Sequence, residues 1–124
     1  MIQDLENGMR NHYRKNKMIV QPGSKIEAAL KGAQLIGQCY HHQGLGKIPS
    51  CLKITAWDEE DKYPHALEYN GEDRNILAVL WHPESTYRDT RTEGLDKANI
   101  LLFSYFADQC RSYKLALESK KHHA

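Results

Sequence analysis

The sequence predicts an α/β fold, because apolar runs of strand length alternate with two segments that have helical spacing. The apolar run at residues 76–81 is too short for a free-standing helix and lies between polar residues and Pro83, which favours a buried parallel strand. Residues 95–117 place apolar side chains at helical spacing and favour one long helix. The chain has 124 residues, of which 40% are apolar, and this is enough for one domain.

The first part of the chain predicts a strand, a turn and a short helix. The strand covers residues 17–20 and ends at the Pro22-Gly23 turn. Ser24 and Glu27 have the spacing of a capping box, which predicts that a helix begins there. The Lys31-Gly32 pair predicts the end of this helix.

Three extended segments follow. Residues 33–40 predict a strand that brings one thiol and two imidazoles to its carboxyl end. Apolar and polar residues alternate over residues 52–57, and a second extended run at residues 65–69 follows an acidic turn. Because only this turn separates the two runs, we expect an antiparallel hairpin that leads into the strand at residues 76–81.

An imidazole and a carboxylate follow directly after that last strand. His82 stands at the predicted carboxyl end, and Glu84 follows two residues later, with Pro83 between them. This arrangement meets the needs of a nucleophile-activating base, because an imidazole can take a proton near neutral pH and a carboxylate can orient the ring. On spacing alone, a half-buried His in a turn beside an exposed Glu is the more common outcome.

Four segments of the chain, taken in order, resemble a known family. An apolar strand closed by Trp81-His82-Pro83-Glu84 resembles the carboxyl-terminal triad segment of class I glutamine amidotransferase-like proteins. The closer resemblance is to the gamma-glutamyl-gamma-aminobutyrate hydrolase branch, peptidase family C26. The other segments that resemble this branch are Ile2-Gln3-Asp4-Leu5, Gln21-Pro22-Gly23-Ser24-Lys25-Ile26 and Gln38-Cys39-Tyr40-His41-His42-Gln43-Gly44. The resemblance extends from Ile2 to about Cys110.

The resemblance implies a partial flavodoxin-like sheet, of the class I glutamine amidotransferase-like kind, with an antiparallel hairpin and a carboxyl-terminal helix. Residues 1–118 would then form the carboxyl-terminal part of such a domain, and residues 119–124 would form a polar, frayed tail. The implied activity is hydrolysis of a gamma-glutamyl amide through a thioester.

The resemblance also implies roles for individual residues. His82 would be the general base that takes the thiol proton and returns it to the leaving amine, and Glu84 would orient the imidazole. His41, His42 and Gln43 would line the glutamyl pocket. The implied chemistry uses no metal and no other cofactor. From the residues alone, a metal site formed by the histidines at 41, 42 and 82 is an open alternative.

The family's nucleophile is a cysteine in a Gly-x-Cys-x-Gly elbow, and this sequence contains no such elbow. Its cysteines are Cys39, Cys51 and Cys110, and Gln38-Cys39 stands where the family has Asn-Ser. A catalytic Cys39 is the least favoured alternative, because a reactive thiol needs a lowered pKa, access and an oxyanion hole. Whether the chain is an enzyme by itself is therefore open. It would be either half of a split hydrolase or a non-catalytic remnant that acts as an interaction module.

Charge and composition restrict the partners and the compartment. The formal net charge is +1 and the basic residues near the amino terminus are interrupted by polar ones, so no nucleic-acid partner is expected. No apolar stretch is long enough to span a bilayer and the first residues lack the layout of a signal peptide, so we expect a cytoplasmic protein without membrane contact. An odd number of cysteines without paired spacing favours reduced thiols.

The expected partners are a gamma-glutamyl small molecule and a polypeptide. If the central strands of the domain lie elsewhere, this part of it leaves apolar faces and strand edges open. We therefore expect either a homo-oligomer or a complex with a complementary amino-terminal half.

Overall fold

The computed structural model describes residues 15–39, 44–84 and 97–122, and within them five strands and two helices. In chain order these are β1 (Lys15–Val20), α1 (Lys25–Leu30), β2 (Ile36–Gln38), β3 (Leu52–Asp58), β4 (Pro64–Tyr69), β5 (Leu77–Val79) and α2 (Lys97–His122). The predicted α/β class is confirmed.

The strands form one curled sheet in the order β2-β1-β3-β4-β5, and every neighbouring pair is antiparallel. The curl brings the two edge strands together. Just past β5, the backbone N–H of His82 donates to the carbonyl of Gln38, the last residue of β2, at 2.8 Å. The end of β2 and the segment after β5 therefore meet at one place.

The hairpin predicted from the alternating pattern is formed by β3 and β4, which pair antiparallel with an irregular register near Ala56. Asp58 closes its acidic turn. The Asp58 Oδ1 accepts from the backbone N–H groups of Glu60 at 2.8 Å and Asp61 at 3.0 Å. A short polar side chain that accepts from the backbone two and three residues later favours such a turn.

β5 corrects one prediction. The sequence predicts a buried parallel strand at residues 76–81, and this is wrong: β5 pairs antiparallel with β4 at the edge of the described sheet, and Ala78 is exposed. The connection from β4 explains the direction, because residues 70–76 are too few for the crossover of a dozen or more residues that parallel pairing needs. An apolar run indicates burial, but the connection decides strand direction.

The two ends of α1 lie where the sequence predicts them. Ser24 Oγ accepts from the backbone N–H of Glu27 at 3.1 Å, and the Glu27 carboxylate accepts from the N–H of Gly23 at 3.0 Å. At the other end, Lys31 has a φ of 51° and Gly32 a φ of 85°. This left-handed backbone ends the helix.

A buried carboxylate on β4 also holds the start of α1. The two oxygens of Glu68 accept from the backbone N–H of Lys25 at 2.8 Å and of Ile26 at 3.1 Å. These N–H groups belong to the first turn of the helix, which has no intrahelical acceptors for them. The Glu68 charge also acts on Tyr105 of α2. Burial is the largest cause that raises the pKa of Tyr105 above its ordinary value of 10.0, and the Glu68 charge is the second.

α2 packs on the core only over its first turns, where Ala98 and Leu102 are buried. The apolar stripe predicted from the sequence continues along α2 to Phe106, Tyr113 and Leu117, which are 55%, 63% and 42% exposed. This face is therefore covered only at the start of the helix, because from residue 111 to residue 121 every residue is exposed.

The helix continues to His122, so the residues predicted as a frayed tail are helical from 119 to 122. Neither α1 nor α2, the helices of the described ranges, is long and apolar enough to cross a membrane.

Candidate functional site

His82 and Glu84 lie together just past the end of β5. The imidazole Nδ1 of His82 is 2.6 Å from a carboxylate oxygen of Glu84, the distance of a charge-assisted hydrogen bond. Pro83 stands between them, and its ring fixes its own φ angle. The side chains of His82 and Glu84 are 42% and 51% exposed, so reactants have access to the pair.

A carboxylate on Nδ1 determines what the other ring nitrogen can do. In the neutral ring it favours the proton on Nδ1, which leaves the lone pair on Nε2. It also stabilises the imidazolium that forms when Nε2 takes a proton. Such a pair is suited to act as a general base towards a thiol or a hydroxyl.

Backbone hydrogen bonds fix the chain on both sides of Trp81. The N–H of Leu80 donates to the carbonyl of His65, and the N–H of His82 donates to the carbonyl of Gln38, both at 2.8 Å. Trp81 itself is buried. These bonds therefore hold the backbone past the end of β5 as far as residue 82.

Trp81 packs so closely on β2 that a side chain at Gly37 has no room. A Cβ at Gly37 would lie 2.7 Å from Trp81 Cγ and 2.9 Å from Met18 Cε. Both distances are shorter than carbon atoms tolerate without displacement. The segment that bears His82 is therefore held against β2 by close packing as well as by hydrogen bonds.

The thiol of Cys39 is unsuited to a nucleophilic role. Cys39 is 0% exposed, and its Sγ lies 3.8 Å from the amide nitrogen of Asn16 and 3.7 Å from the carbonyl oxygen of Gly37. A cysteine in such surroundings packs as a small hydrophobic residue. Cys51 and Cys110 are exposed.

The predicted pocket residues His41, His42 and Gln43 lie outside the described residues, as does the motif at residues 2–5. The described chain leads into the His-His-Gln segment from the end of β2, where Gln38 bonds the backbone of His82. Within residues 15–39, 44–84 and 97–122, no group of three or more His, Cys, Asp or Glu side chains could hold a metal ion.

Two buried polar side chains that hold elements of the fold together are missing from the sequence-based predictions. Asn99 of α2 accepts from the indole N–H of Trp81 at 2.9 Å, and Glu68 holds the start of α1. An Asn in a helix and a Glu in a strand give no local signal of partners that lie far away in the sequence.

The family model of peptidase C26 matches residues 2–84 of the chain, a span that ends at Glu84. The chain belongs to the peptidase C26 family. The motifs that pointed to class I glutamine amidotransferase-like proteins are confirmed at this level.

Two curated relatives resemble this peptidase C26 chain. It is 42% identical over 89 residues to Rv2859c of Mycobacterium tuberculosis, a protein named as a candidate glutamine amidotransferase, and the match covers 68% of this chain and 28% of the relative. It is 27% identical over 81 residues to the protein NtpR of Enterococcus hirae, covering 65% of this chain and 33% of the relative. The chain therefore spans a third or less of the length of these relatives.

A solved structure shows the same fold. The crystal structure of a Thermoplasma acidophilum protein, named as a candidate component of GMP synthase, aligns with a TM-score of 0.63 and 20% sequence identity. The alignment covers 88% of this peptidase C26 chain and 49% of the T. acidophilum chain. The fold is thus that of a glutamine amidotransferase-like protein.

Proposed function

We propose that this chain supplies the general base of a gamma-glutamyl amide hydrolase, with His82 and Glu84 as two members of a Cys-His-Glu triad. The observation that supports this most directly is the 2.6 Å contact between His82 Nδ1 and the Glu84 carboxylate. Membership of the peptidase C26 family supports a thiol mechanism. The side chains of His41, His42 and Gln43 line the glutamyl pocket in this proposal, and the reaction uses no metal or other cofactor.

In the first half-reaction, His82 Nε2 takes the proton of a cysteine thiol, and the thiolate attacks the γ-carbonyl carbon of the substrate. The new carbon–sulfur bond forms as the carbonyl electron pair moves onto oxygen. When this tetrahedral intermediate collapses, the carbon–nitrogen bond breaks and the imidazolium gives its proton to the leaving amine. Glu84 stabilises the imidazolium between these two proton transfers.

In the second half-reaction, water cleaves the thioester. His82 Nε2 takes a proton from the water as its oxygen attacks the thioester carbon. Collapse of the second tetrahedral intermediate breaks the carbon–sulfur bond and releases glutamate with a free γ-carboxyl group. The imidazolium returns its proton to the thiolate, which restores the starting state.

The thiol in this proposal lies beyond the described residues, on a complementary polypeptide or on a further part of the domain. The sequence contains no Gly-x-Cys-x-Gly elbow, and Cys39 is fully buried. A complementary part also supplies the oxyanion hole, which this mechanism needs to stabilise the charge on the carbonyl oxygen.

A non-catalytic interaction module is the second candidate function. The exposed stripe of Phe106, Tyr113 and Leu117 on α2 favours it, because exposed apolar clusters mark surfaces that bind other polypeptides. The accessible pair of His82 and Glu84 favours catalysis, since binding alone does not need an imidazole that is held by a carboxylate.

The test is release of amine or ammonia from gamma-glutamyl amides by the purified chain, alone and mixed with the part of Rv2859c that lies outside the matched 89 residues. We expect no turnover by the chain alone. We expect turnover in the mixture, and a loss of about 10²- to 10⁴-fold when the mixture contains His82→Ala, the range that general acid–base catalysis contributes.

Two results would count against the proposal. Turnover by the chain alone that disappears in Cys39→Ser would make Cys39 the nucleophile. A stable mixed complex without turnover would favour the interaction module.

A further inference from the structure

We infer that Asn99 of α2 is a positioning residue for His82 and acts through the indole of Trp81. The inference rests on the proposed role of His82 as a general base. It concerns a side chain that lies in another element and outside the matched residues 2–84.

Asn99 joins α2 to β2 and to the segment after β5 with two hydrogen bonds. Its Oδ1 accepts from Trp81 Nε1 at 2.9 Å, and its Nδ2 donates to the carbonyl of Ile36 in β2 at 3.1 Å. The Asn99 and Trp81 side chains are 3% and 2% exposed. Because both ends of the amide are used, its orientation is fixed.

The second bond ties Asn99 to β2, the strand that also holds the His82 backbone. Ile36 and Gln38 are two residues apart on β2, and Gln38 accepts from the N–H of His82. Gly37 lies between them, and the Trp81 ring packs so close to its backbone that a side chain at residue 37 would clash with the ring. β2 therefore holds residues 81 and 82 through a direct backbone bond, close packing and the Asn99 bridge.

This arrangement links Asn99 to the chemistry, because Trp81 directly precedes His82. The indole is a large side chain whose far end Asn99 anchors, so that loss of the anchor lets Trp81 shift together with the backbone from which the imidazole projects. The 2.6 Å contact of His82 with Glu84 depends on that backbone. A displacement of about 1 Å at a reacting group can cost about 10²-fold in rate.

The test compares three variants with a matched control. Asn99→Leu removes both bonds of the bridge, and Trp81→Phe removes only the indole donor. Glu84→Ala is the reference for an imidazole without its carboxylate. Leu102→Ala is the control, because Leu102 is a buried residue of the same helix that lies outside the bridge.

The readout is the fraction of neutral His82 rings that carry the proton on Nδ1 rather than on Nε2. This fraction is measured by ¹⁵N NMR, and the His82 signals are assigned with a His82→Gln sample. We expect Asn99→Leu and Trp81→Phe to move this fraction towards that of Glu84→Ala. We expect Leu102→Ala to lower the melting temperature but to leave the fraction as in the wild type. In the reconstituted hydrolase, Asn99→Leu should lower kcat by about 10- to 100-fold with little change in KM.

The inference fails if Asn99→Leu and Trp81→Phe lower the melting temperature as Leu102→Ala does but keep the wild-type fraction. If Asn99→Leu does not fold, Trp81→Phe alone decides. Since the NMR readout needs no turnover, a failure of the proposed hydrolysis is distinguishable from a failure of this inference.

Discussion

At the residue scale, the position of the candidate base His82 depends on the close packing of Trp81 against Gly37. Gly37 has no side chain, and the Trp81 ring occupies the space that a Cβ would need, 2.7 Å from the ring's Cγ. The backbone of His82 is bonded to the next residue along β2, Gln38. The geometry of the imidazole is therefore sensitive to substitutions in a strand that contributes no catalytic group of its own.

A Gly37→Ala variant tests this packing. We expect the added methyl group to lower the free energy of unfolding by about 1–3 kcal/mol, the usual cost of overpacking a core. Urea unfolding measures the change. Ala78→Val is the control, because Ala78 is exposed on β5 and the larger side chain has room there. Equal stability of Gly37→Ala and the wild type would show that Trp81 is held less tightly than the contacts indicate.

At the element scale, Glu68 connects α1, β4 and α2. Its carboxylate accepts from two N–H groups of α1. On α2, burial is the largest cause that raises the pKa of Tyr105, and the charge of Glu68 is the second. A Tyr with a raised pKa holds its proton more tightly in the folded protein. Its contribution to stability is fully present below the ordinary pKa of 10.0 and is lost as the pH rises through the higher folded value.

A Glu68→Gln variant tests this connection. We expect the pKa of Tyr105 to fall but to stay above 10.0, since burial is its largest cause and remains. Absorbance titration of the tyrosines, with Tyr105→Phe for assignment, measures the shift. Tyr69 is the control, because its pKa is raised first by a hydrogen bond with Asp73. A Tyr105 titration unchanged by Glu68→Gln would contradict this account.

The elements also show what the sequence can and cannot predict. The capping box at Ser24 and the β3–β4 hairpin were predictable because their signals are local in the chain. The antiparallel pairing of β5 was not, since an apolar run indicates burial without direction. The Asn99 bridge to Ile36 spans 63 residues, and nothing near either residue signals the other. The candidate pair itself was predicted, but the bonds that hold it were not.

At the scale of the whole molecule, α2 exposes apolar side chains along one face. The stripe consists of Phe106, Tyr113 and Leu117, and its first two residues line a cavity of about 510 Å³ between α2 and the β4–β5 connection. We propose that this surface binds a second copy or the complementary part of the domain.

A substitution in the stripe tests this proposal. We expect the purified chain to exceed the mass of a monomer, 14.3 kDa, in size-exclusion chromatography with light scattering, or to bind the remainder of Rv2859c. Phe106→Glu should weaken either association, because it places a charge in an apolar contact. Leu115→Glu is the control, since Leu115 is also exposed but lies off the stripe. A chain that stays monomeric and does not bind the added polypeptide would contradict the proposal.

The most direct test of the central claim is kcat/KM for a gamma-glutamyl amide in the reconstituted mixture, with the wild-type chain and with Glu84→Gln. If His82 is the base and Glu84 orients it, Glu84→Gln lowers kcat/KM by about 10²- to 10⁴-fold while the mixed complex still forms. An equal kcat/KM for the two mixtures would contradict the claim and leave the 2.6 Å contact without a role in the reaction.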